Sequence, residues 1–368
     1  MSRWFKTACR RLVADEGISH ARWEMIIMRL LLATVMFDLV SKAIDLSFPE
    51  GGMSAAKLGQ LSVIPEVAKF KGQPHPNGIA HFVDLTFLSD PGIARPIYYG
   101  FYAALALYVL GIGLPMATTY LFLALLVHGT FHNSQGSVHH HLQVLTLVLG
   151  VQCLAAWRGL LSQFSERFIG GYGGSRYETE DGDVEGDEAR RRLPPWCCEF
   201  LRSSDWTMAK MTDWTRQAIV AAYVVSALSK IWMTKGLWIW KVPRLGVQLR
   251  KSADQDYYDT LSHSTTAHEW LPEWCLTHPW AARMVFGPSL LIELFFFLAL
   301  RNRRIAGVYA AVLIGFHQSV SLLMSLDFRY NVQLLLIYFV NIPFWLWSAG
   351  RWLRMRPDPI PVAEAAAS

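Results

Sequence analysis

Long apolar runs alternate with short polar segments along most of the chain, and basic residues or Gly and Pro separate the runs. A helix needs ~20 mostly apolar residues to cross a bilayer. By that measure the pattern predicts an all-α, polytopic integral membrane helical bundle of about eight transmembrane helices. The predicted spans are roughly 23–42, 97–112, 114–131, 140–157, 217–234, 286–300, 305–324 and 331–350.

The apolar run 97–131 has two interpretations. It is interrupted by Gly111, Gly113 and Pro115. Glycine and proline so close together favour a tight hairpin between two short spans. A single long kinked helix is the alternative.

Basic residues are concentrated in the segments between spans, which orients the predicted bundle. Short loops rich in Lys and Arg stay cytoplasmic. With an even number of spans, both termini are predicted to be cytoplasmic. The basic segments that then lie inside are 6–22, 158–216, 301–304 and 351–356.

The predicted organisation is two four-helix halves joined by a polar linker. Low hydrophobicity and the acidic run from Glu178 to Glu188 predict that the linker is disordered. The boundaries are 1–22 for a basic, amphipathic cytoplasmic N-terminus, 23–157 for the first half, 158–216 for the cytoplasmic linker, 217–350 for the second half and 351–368 for a short cytoplasmic tail.

Composition narrows the class of protein. The 368 residues are 52% hydrophobic and only 17% charged, which is too apolar for a soluble protein of this size. Fifteen Trp and thirteen Tyr suit the two membrane interfaces. The net charge of +5 does not indicate nucleic-acid binding, because the basic residues flank apolar segments instead of forming one patch. The expected partners are the lipid bilayer and a lipophilic small molecule.

Lys230 lies inside an otherwise apolar predicted span. A charge at that depth costs ~2.5–3.5 kcal/mol on insertion scales. One interpretation is that the side chain snorkels to the interface. The other is that the lysine is functional: an apolar pocket disfavours the charged amine, and a neutral lysine is a competent base for a phenol, a hydroquinone or an acidic carbon.

Other ionisable residues are predicted at a similar height in the membrane. Lys230 and His317 each lie thirteen residues along an outward-running span, ~20 Å from the inner edge at ~1.5 Å per residue. Glu293 lies near the outer end of the next span, where it can neutralise Lys230. His317 can instead form an interhelical hydrogen bond. Arg29 and Asp38 are expected to bind other helices and hold the bundle together.

Five histidines at the predicted outer turn allow a metal interpretation. His128 and His132 share a helix face, and the run 139–141 follows. Imidazole binds zinc or iron. No Cys or carboxylate lies within the group, however, and three consecutive histidines cannot all face one ion. Interfacial histidines, or one catalytic histidine, are preferred over a metal.

The residues also resemble a family, the HTTM domain, which is the membrane part of vitamin K-dependent gamma-carboxylase and its bacterial relatives. Five pieces occur in order along the predicted bundle. They are Met28-Arg29-Leu…Phe37-Asp38-Leu39, Asn133-Ser-Gln-Gly-Ser-Val-His139-His140-His141-Leu, Ala227-Leu-Ser-Lys230-Ile-Trp with Trp238 beyond it, Leu291-Ile-Glu293-Leu, and Gly315-Phe-His317-Gln-Ser-Val-Ser321.

The resemblance implies an activity and a set of site residues. Lys230 matches the family's catalytic lysine, which deprotonates reduced vitamin K, so a vitamin K-like reduced quinone is the implied cofactor. A histidine of the 139–141 run, such as His139 or His140, matches the functional histidine. His317 and Glu293 would assist. A bacterial-type relative would lie in the bacterial inner membrane.

This chain departs from the carboxylase in ways that change the expected substrate. Only about seventeen residues follow the last predicted span, and Ser229 replaces the first of two adjacent lysines. The expected function is therefore an enzyme acting on a quinol- or isoprenoid-type lipid, either carboxylase-like or another lyase or cyclase. The alternative is a non-catalytic lipid-binding or assembly protein. A transporter ranks last, because no inverted repeat is evident.

Overall fold

The described part of the chain is all-helical. A computed structural model describes residues 18, 20–47, 76–89, 91–134, 140–170, 205–260, 267–324, 326 and 328–354. No strand occurs among these residues. Apolar side chains with few helix breakers explain the long helices, and the breaks fall at Gly and Pro positions such as Gly111, Gly236 and Gly287.

Thirteen α-helices can be numbered along the described chain. They are α1 (Arg22–Ser47), α2 (Pro91–Leu110), α3 (Leu114–Asn133), α4 (His140–Gly170), α5 (Asp205–Met233), α6 (Trp238–Lys241), α7 (Leu245–Thr260), α8 (Ala267–Thr277), α9 (Pro279–Phe286), α10 (Pro288–Leu294), α11 (Arg303–Met324), α12 (Arg329–Leu335) and α13 (Ile342–Arg354). Short 3₁₀ turns cover Gly78–His81, Thr86–Ser89, Val242–Arg244 and Phe296–Leu300, and a π-helical turn, Leu336–Val340, joins α12 to α13.

The protein is a multi-pass membrane protein. Five described helical segments are long and apolar enough to cross a bilayer: Gly92–Leu110, Leu114–Phe131, Leu142–Ser162, Arg303–Leu323 and Arg329–Gly350. A sixth candidate is Trp206–Met233 taken together with Trp238–Ser252, which are bent by 76° at a short break. Within the described residues the count is therefore five or six.

Two of the eight predicted spans are not among these segments. The apolar part of α1 carries Glu24, Arg29 and Asp38, which is a high charge for a lipid-exposed helix. The predicted span 286–300 is divided into α10 and a 3₁₀ turn at Phe295. The total of eight stays a prediction.

The hairpin interpretation of 97–131 is confirmed. α2 ends at Leu110 and α3 begins at Leu114. Gly111 and Gly113 between them have φ angles of +72° and +56°, which favour glycine because no Cβ is present. Two separate helices therefore replace the single kinked helix.

The segment between α4 and α5 is shorter than the linker predicted from the sequence. α4 continues to Gly170 and α5 begins at Asp205, so both helices extend into the predicted linker 158–216. The acidic run within it lies outside the described residues, as does most of the N-terminal segment 1–22.

The main core lies where α1 to α5, α11, α12 and the 3₁₀ turn Phe296–Leu300 meet. Among its fully buried side chains are Leu32, Met36, Leu121, Leu145 and Phe296. α4 packs along both α3 and α5. A second, smaller core of Val242, Leu249, Leu271, Cys275 and Ala282 holds α7, α8 and α9 together after the bend that follows α5. The site residues described below lie on the helices that border these cores.

Gly159 lets α4 approach α5 closely. A Cβ at this position would overlap Thr207 Oγ1 and lie 3.2 Å from both Thr207 Cβ and Cγ2. Small residues at such contacts let membrane helices pack closely. Rotation of the β-branched Thr207 side chain cannot clear the space, because two heavy atoms occupy its Cβ.

We expect Gly159→Ala to lower the midpoint of thermal unfolding, because α4 and α5 must separate. Gly307 is the matched control: it also lies in a helix, but a Cβ there meets nothing within 4 Å. Gly307→Ala should leave the midpoint unchanged or raise it, since alanine is favoured over glycine in a helix by about 1 kcal/mol. Equal effects of the two substitutions would contradict this account.

Candidate functional site

A salt bridge between Lys230 and Glu293 is the centre of the site. Lys230 Nζ donates hydrogen bonds to Glu293 Oε1 at 2.7 Å and Oε2 at 2.5 Å. Lys230 lies in the last turn of α5, and Glu293 lies on α10. The Glu293 side chain is 4% exposed and the Lys230 side chain 28% exposed. The carboxylate is therefore enclosed by protein, while the lysine side chain is partly exposed.

The surface of the bundle at this end of α5 and α10 is apolar. Leu228, Trp232 and Leu291 are exposed there. In a membrane-spanning helix such exposed apolar side chains face lipid. Leu228 and Trp232 are each two residues from Lys230, so they lie on the other side of α5 from it. On its own side, Lys230 Nζ lies 5.7 Å from the centre of the Trp238 ring, at the start of α6, in a cation–π contact.

A chain of hydrogen bonds lies beside the salt bridge. The Tyr223 hydroxyl and His317 Nε2 are 2.5 Å apart, and the tautomer of the ring decides which of them donates. The Asn331 side chain also hydrogen-bonds the Tyr223 hydroxyl. Phe328 stacks on the His317 ring with centroids 4.7 Å apart, which fixes the imidazole plane. Helices α5, α11 and α12 each contribute one polar residue to this chain.

The two groups form one electrostatic unit. The charge of Lys230 acts on His317, and the charge of Glu293 acts on Tyr223. Three buried polar atoms of the region, His317 Nδ1, Asn331 Oδ1 and Trp238 Nε1, have no hydrogen-bond partner among the described residues. Buried polar groups are normally paired. Their unused capacity suits a ligand or water with polar atoms of its own.

The geometry differs from the expectation of a neutral lysine in an apolar pocket. A carboxylate that accepts two hydrogen bonds from an ammonium group favours the charged form of both partners. The alternative of a simple snorkelling lysine does not describe the site either, because Nζ points to Glu293. Of the predicted site residues, the structure brings Lys230, Glu293 and His317 together.

The predicted histidine group is only partly described. His128 contacts Tyr98, whose hydroxyl lies 3.1 Å from His128 Nδ1, and lines an apolar pocket between α2 and α3. The side chains of His132, His140 and His141, and all of His139, lie outside the described residues. No group of three or more His, Cys, Asp or Glu that could hold a metal occurs in the described part of the chain. The catalytic assignment of the 139–141 run stays a prediction.

Arg29, one of the two predicted structural charges on α1, lies away from Lys230. Arg29 Nη1 contacts Met208 Sδ on α5 at 3.7 Å, and its guanidinium packs against the turn at Gly111. Asp38 is half-buried on the same helix. The role of both charges in holding helices together stays a prediction.

Sequence reasoning missed Tyr223. It lies seven residues before Lys230 on α5, which is two helical turns and therefore the same face. That spacing alone could have predicted that Tyr223 lies on the same side of the helix as Lys230. Its partner His317 is on another helix, so the hydrogen bond itself depends on tertiary packing.

A second buried carboxylate, Glu24, was also missed as an interaction centre. It accepts hydrogen bonds from Arg303 Nη1 at 2.9 Å and Nη2 at 3.2 Å, and from Asn341 Nδ2 at 3.1 Å. Glu24 thus joins α1 to α11 and to the start of α13. The sequence pattern indicated Arg303 only as a basic loop residue.

We expect Lys230→Met to cost about 3 kcal/mol of stability, because it leaves the buried Glu293 carboxylate without its partner. This is the lower end of the range for breaking a buried ion pair, since Lys230 is partly exposed. Glu293→Gln should cost less, because the lysine can turn to the surface. The double variant Lys230→Met/Glu293→Leu should lie within about 1 kcal/mol of the wild type. Thermal unfolding in detergent measures all three, and a double variant less stable than Lys230→Met would refute the pairing.

The site therefore combines a partly exposed lysine, an enclosed carboxylate and a buried tyrosine–histidine pair on three helices. General acid–base chemistry needs this type of arrangement, with groups that can exchange protons within hydrogen-bond reach. Comparison of the chain with protein-family models, with curated proteins and with solved structures finds no match.

Proposed function

We propose that the protein is a membrane-embedded enzyme that acts on a quinol- or isoprenoid-type lipid, with the Lys230–Glu293 pair as its base. The observation that carries the proposal is the salt bridge itself, in which a partly exposed lysine is held by a carboxylate that the protein encloses. The resemblance to the HTTM family supports the same residue. The expected class is carboxylase-like or another lyase or cyclase.

The exposed surface around Lys230 supports a lipid substrate. Leu228, Trp232 and Leu291 are exposed apolar side chains at the same end of α5 and α10 as the ion pair. A substrate that dissolves in the bilayer can keep its tail in the lipid at this level while its polar headgroup reaches the partly exposed Lys230 side chain.

Proton transfer within the pair would generate the base. The ammonium of Lys230 gives one proton to a Glu293 oxygen 2.7 Å away, which leaves a neutral amine and a neutral carboxylic acid. The amine lone pair then takes the acidic proton of the substrate, and the substrate keeps the electron pair as its anion. The carboxylic acid then gives its proton to the anionic product or to water, and the pair returns to its starting charges. In an environment of low polarity, the free energy of the neutral pair relative to the charged pair is much lower than it is in water.

Tyr223 and His317 supply a second proton donor and acceptor. Their 2.5 Å hydrogen bond allows a proton to be held at either residue. His317 Nδ1 is buried without a partner among the described residues, so it can bind a substrate oxygen or a leaving group. In this role the histidine assists and the lysine remains the base.

A reduced quinone fits the donor set. One of its ring hydroxyls could bind the Lys230–Glu293 pair, with Trp238 beside the ring. When bound, such a quinol supplies an acidic hydroxyl as the proton source. The residues of this chain bind it, orient it and accept that proton.

The test identifies the lipid first and then removes the base. Isoprenoid lipids and quinones extracted from the purified protein are identified by mass spectrometry, and the wild type is assayed for turnover of the same lipid in nanodiscs. Lys230→Met should lower turnover by about a hundredfold or more, the usual worth of a general base. Lys235→Met, at an exposed lysine just beyond α5, is the matched control and should be active. Full activity of Lys230→Met would overturn the proposal.

A non-catalytic lipid-binding or assembly protein is the second candidate. Both carboxylate oxygens of Glu293 already hold the amine, as in a static helix-to-helix link. The variant Lys230→Met/Glu293→Leu distinguishes the enzyme from the non-catalytic protein, because it lacks the base while the fold is expected to persist. Lipid retention together with an absence of turnover in both wild type and double variant would favour this second function.

The finer topology belongs to the same proposal. Eight spans, cytoplasmic termini and a bacterial inner membrane together put the Lys230 end of α5 in the outer half of the bilayer. Cysteine accessibility at Lys235 and at Arg304, measured in intact cells and in permeabilised cells, distinguishes the two sides. Labelling of both positions from the same side would contradict this orientation.

A further inference from the structure

The helices α6 to α9, which share the smaller core, are not built to cross a membrane. Crossing a bilayer takes ~20 mostly apolar residues in a helix. α6, α8 and α9 have only 4, 11 and 8 residues. α7 has 16 residues, and its sequence includes Arg250, Lys251 and Asp254. We call these four helices the α6–α9 unit.

The chain turns sharply where the α6–α9 unit begins. The segments Trp206–Met233 and Trp238–Ser252 are bent by 76° at the break between them. Lys235 and Gly236 in this break have φ angles of +54° and +77°, which end α5 and redirect the chain. The predicted span 217–234 coincides with the end of α5. When α5 alone crosses the bilayer, the segment after the break therefore runs nearly along the membrane surface.

The α6–α9 unit exposes large apolar side chains on neighbouring helices. Ile239 and Trp240 on α6 and Trp280 and Met284 on α9 are between 46% and 76% exposed. The ring centres of Trp240 and Trp280 are 5.8 Å apart, so α6 and α9 present these rings side by side. We call these four residues the tryptophan patch.

Helix α9 is apolar on two opposite sides. Ala282 and Phe286, one turn apart, pack in the smaller core. Trp280 and Met284 are also one turn apart, and each is two residues from Ala282, so they lie on the other side of the helix. A helix that is apolar all round is normally buried. The exposed side of α9 therefore fits an apolar or interfacial environment better than it fits water.

A positive charge lies between the two exposed tryptophans. Arg283 Cζ is 4.8 Å from the centre of the Trp240 ring and 4.6 Å from that of Trp280. These cation–π contacts hold the guanidinium in the patch. Within the described part of the chain Arg283 forms no ion pair. Guanidinium groups recognise phosphate oxygens, so the charge of Arg283 suits a phospholipid headgroup.

Composition distinguishes the tryptophan patch from the lipid-facing sides of the spans. The exposed apolar side chains of α3 and α4 include Leu123, Leu147 and Leu154, which suit the hydrocarbon interior. Tryptophan together with arginine is typical of the boundary between hydrocarbon and water, where their polar atoms reach the headgroups. Residues 234–252 also contain five basic residues and no acidic one, which favours contact with anionic lipids.

We propose that the α6–α9 unit lies in the headgroup layer of the bilayer, with the tryptophan patch against the acyl chains and Arg283 paired with lipid phosphate. The unit thus lies on the membrane without crossing it. The polar residues of the open hollow between α7 and α8, which include Arg250, Asp254 and Glu273, then face water. The proposal rests on α5 as a span and does not depend on the catalytic role of Lys230.

Nitroxide labels measure the depth of the tryptophan patch in the bilayer. The full-length protein, in nanodiscs of phosphatidylcholine and phosphatidylglycerol, is labelled at Met284→Cys or at Glu273→Cys, an exposed position on α8 that is the matched control. The buried Cys153 and Cys275 stay in place, and the other three cysteines are replaced by serine. Power-saturation spectroscopy compares collisions with oxygen, which concentrates in lipid, and with a nickel chelate, which stays in water.

The two labels should give opposite results. We expect the label at Met284→Cys to collide more with oxygen and the label at Glu273→Cys to collide more with the nickel chelate. Equal access of the nickel chelate to both labels would place the patch in water and overturn the proposal. Immobilisation of the Met284→Cys label with protection from both reagents would show that a second copy or another protein covers the patch, which would also overturn it.

Arg283→Gln tests the contact with phosphate. Phosphatidylglycerol molecules that stay on the protein after release from detergent are counted by native mass spectrometry. Arg283→Gln should retain fewer of them than the wild type. Arg250→Gln is the matched control and should retain as many as the wild type, because Arg250 already pairs with Asp254 at 3.2 Å. Equal retention by the wild type and Arg283→Gln would overturn the role given to Arg283.

Discussion

The salt bridge between Lys230 and Glu293 is the interaction around which the site at this end of the bundle is organised. It joins the end of α5 to α10, a short helix that is followed by a 3₁₀ turn. In that turn Phe296 packs edge-on against Tyr223, and Tyr223 reaches His317. The ion pair and the tyrosine–histidine pair are therefore linked through α5 and through the segment that carries Glu293 and Phe296.

The two ends of the bundle stabilise buried charge in different ways. At one end Glu24 contacts Arg303, Asn341 and His20, so its carboxylate oxygens can accept few further hydrogen bonds. At the other end Lys230 has a single acidic partner and is partly exposed. A network whose hydrogen bonds are all made holds helices together, whereas a partly exposed ion pair can exchange a proton with a ligand.

Much of the helical pattern could be predicted from the sequence, because apolar runs of span length are a strong signal. The hairpin at Gly111 and the meeting of Lys230 with Glu293 and His317 followed from helix length and direction. The missed features depend on tertiary packing. Glu24 in the first predicted span was not predicted to pair with Arg303, which is far away in sequence, and a break such as that at Phe295 leaves the hydrophobic pattern unchanged. Helix extension to Gly170 was missed because polar residues at a helix end resemble a loop.

Cryo-electron microscopy of the wild type and of Lys230→Met, both in nanodiscs made from native lipid extract, tests the central claim most directly. The claim is that the Lys230–Glu293 pair receives a polar lipid headgroup from the bilayer. We expect an elongated ligand in the wild type whose headgroup lies within hydrogen-bond distance of Lys230 Nζ and whose tail lies in the bilayer against the bundle. We expect this ligand to be absent from Lys230→Met. A wild-type structure in which Nζ contacts only Glu293, with bulk lipid disordered around it as it is in the variant, would contradict the claim.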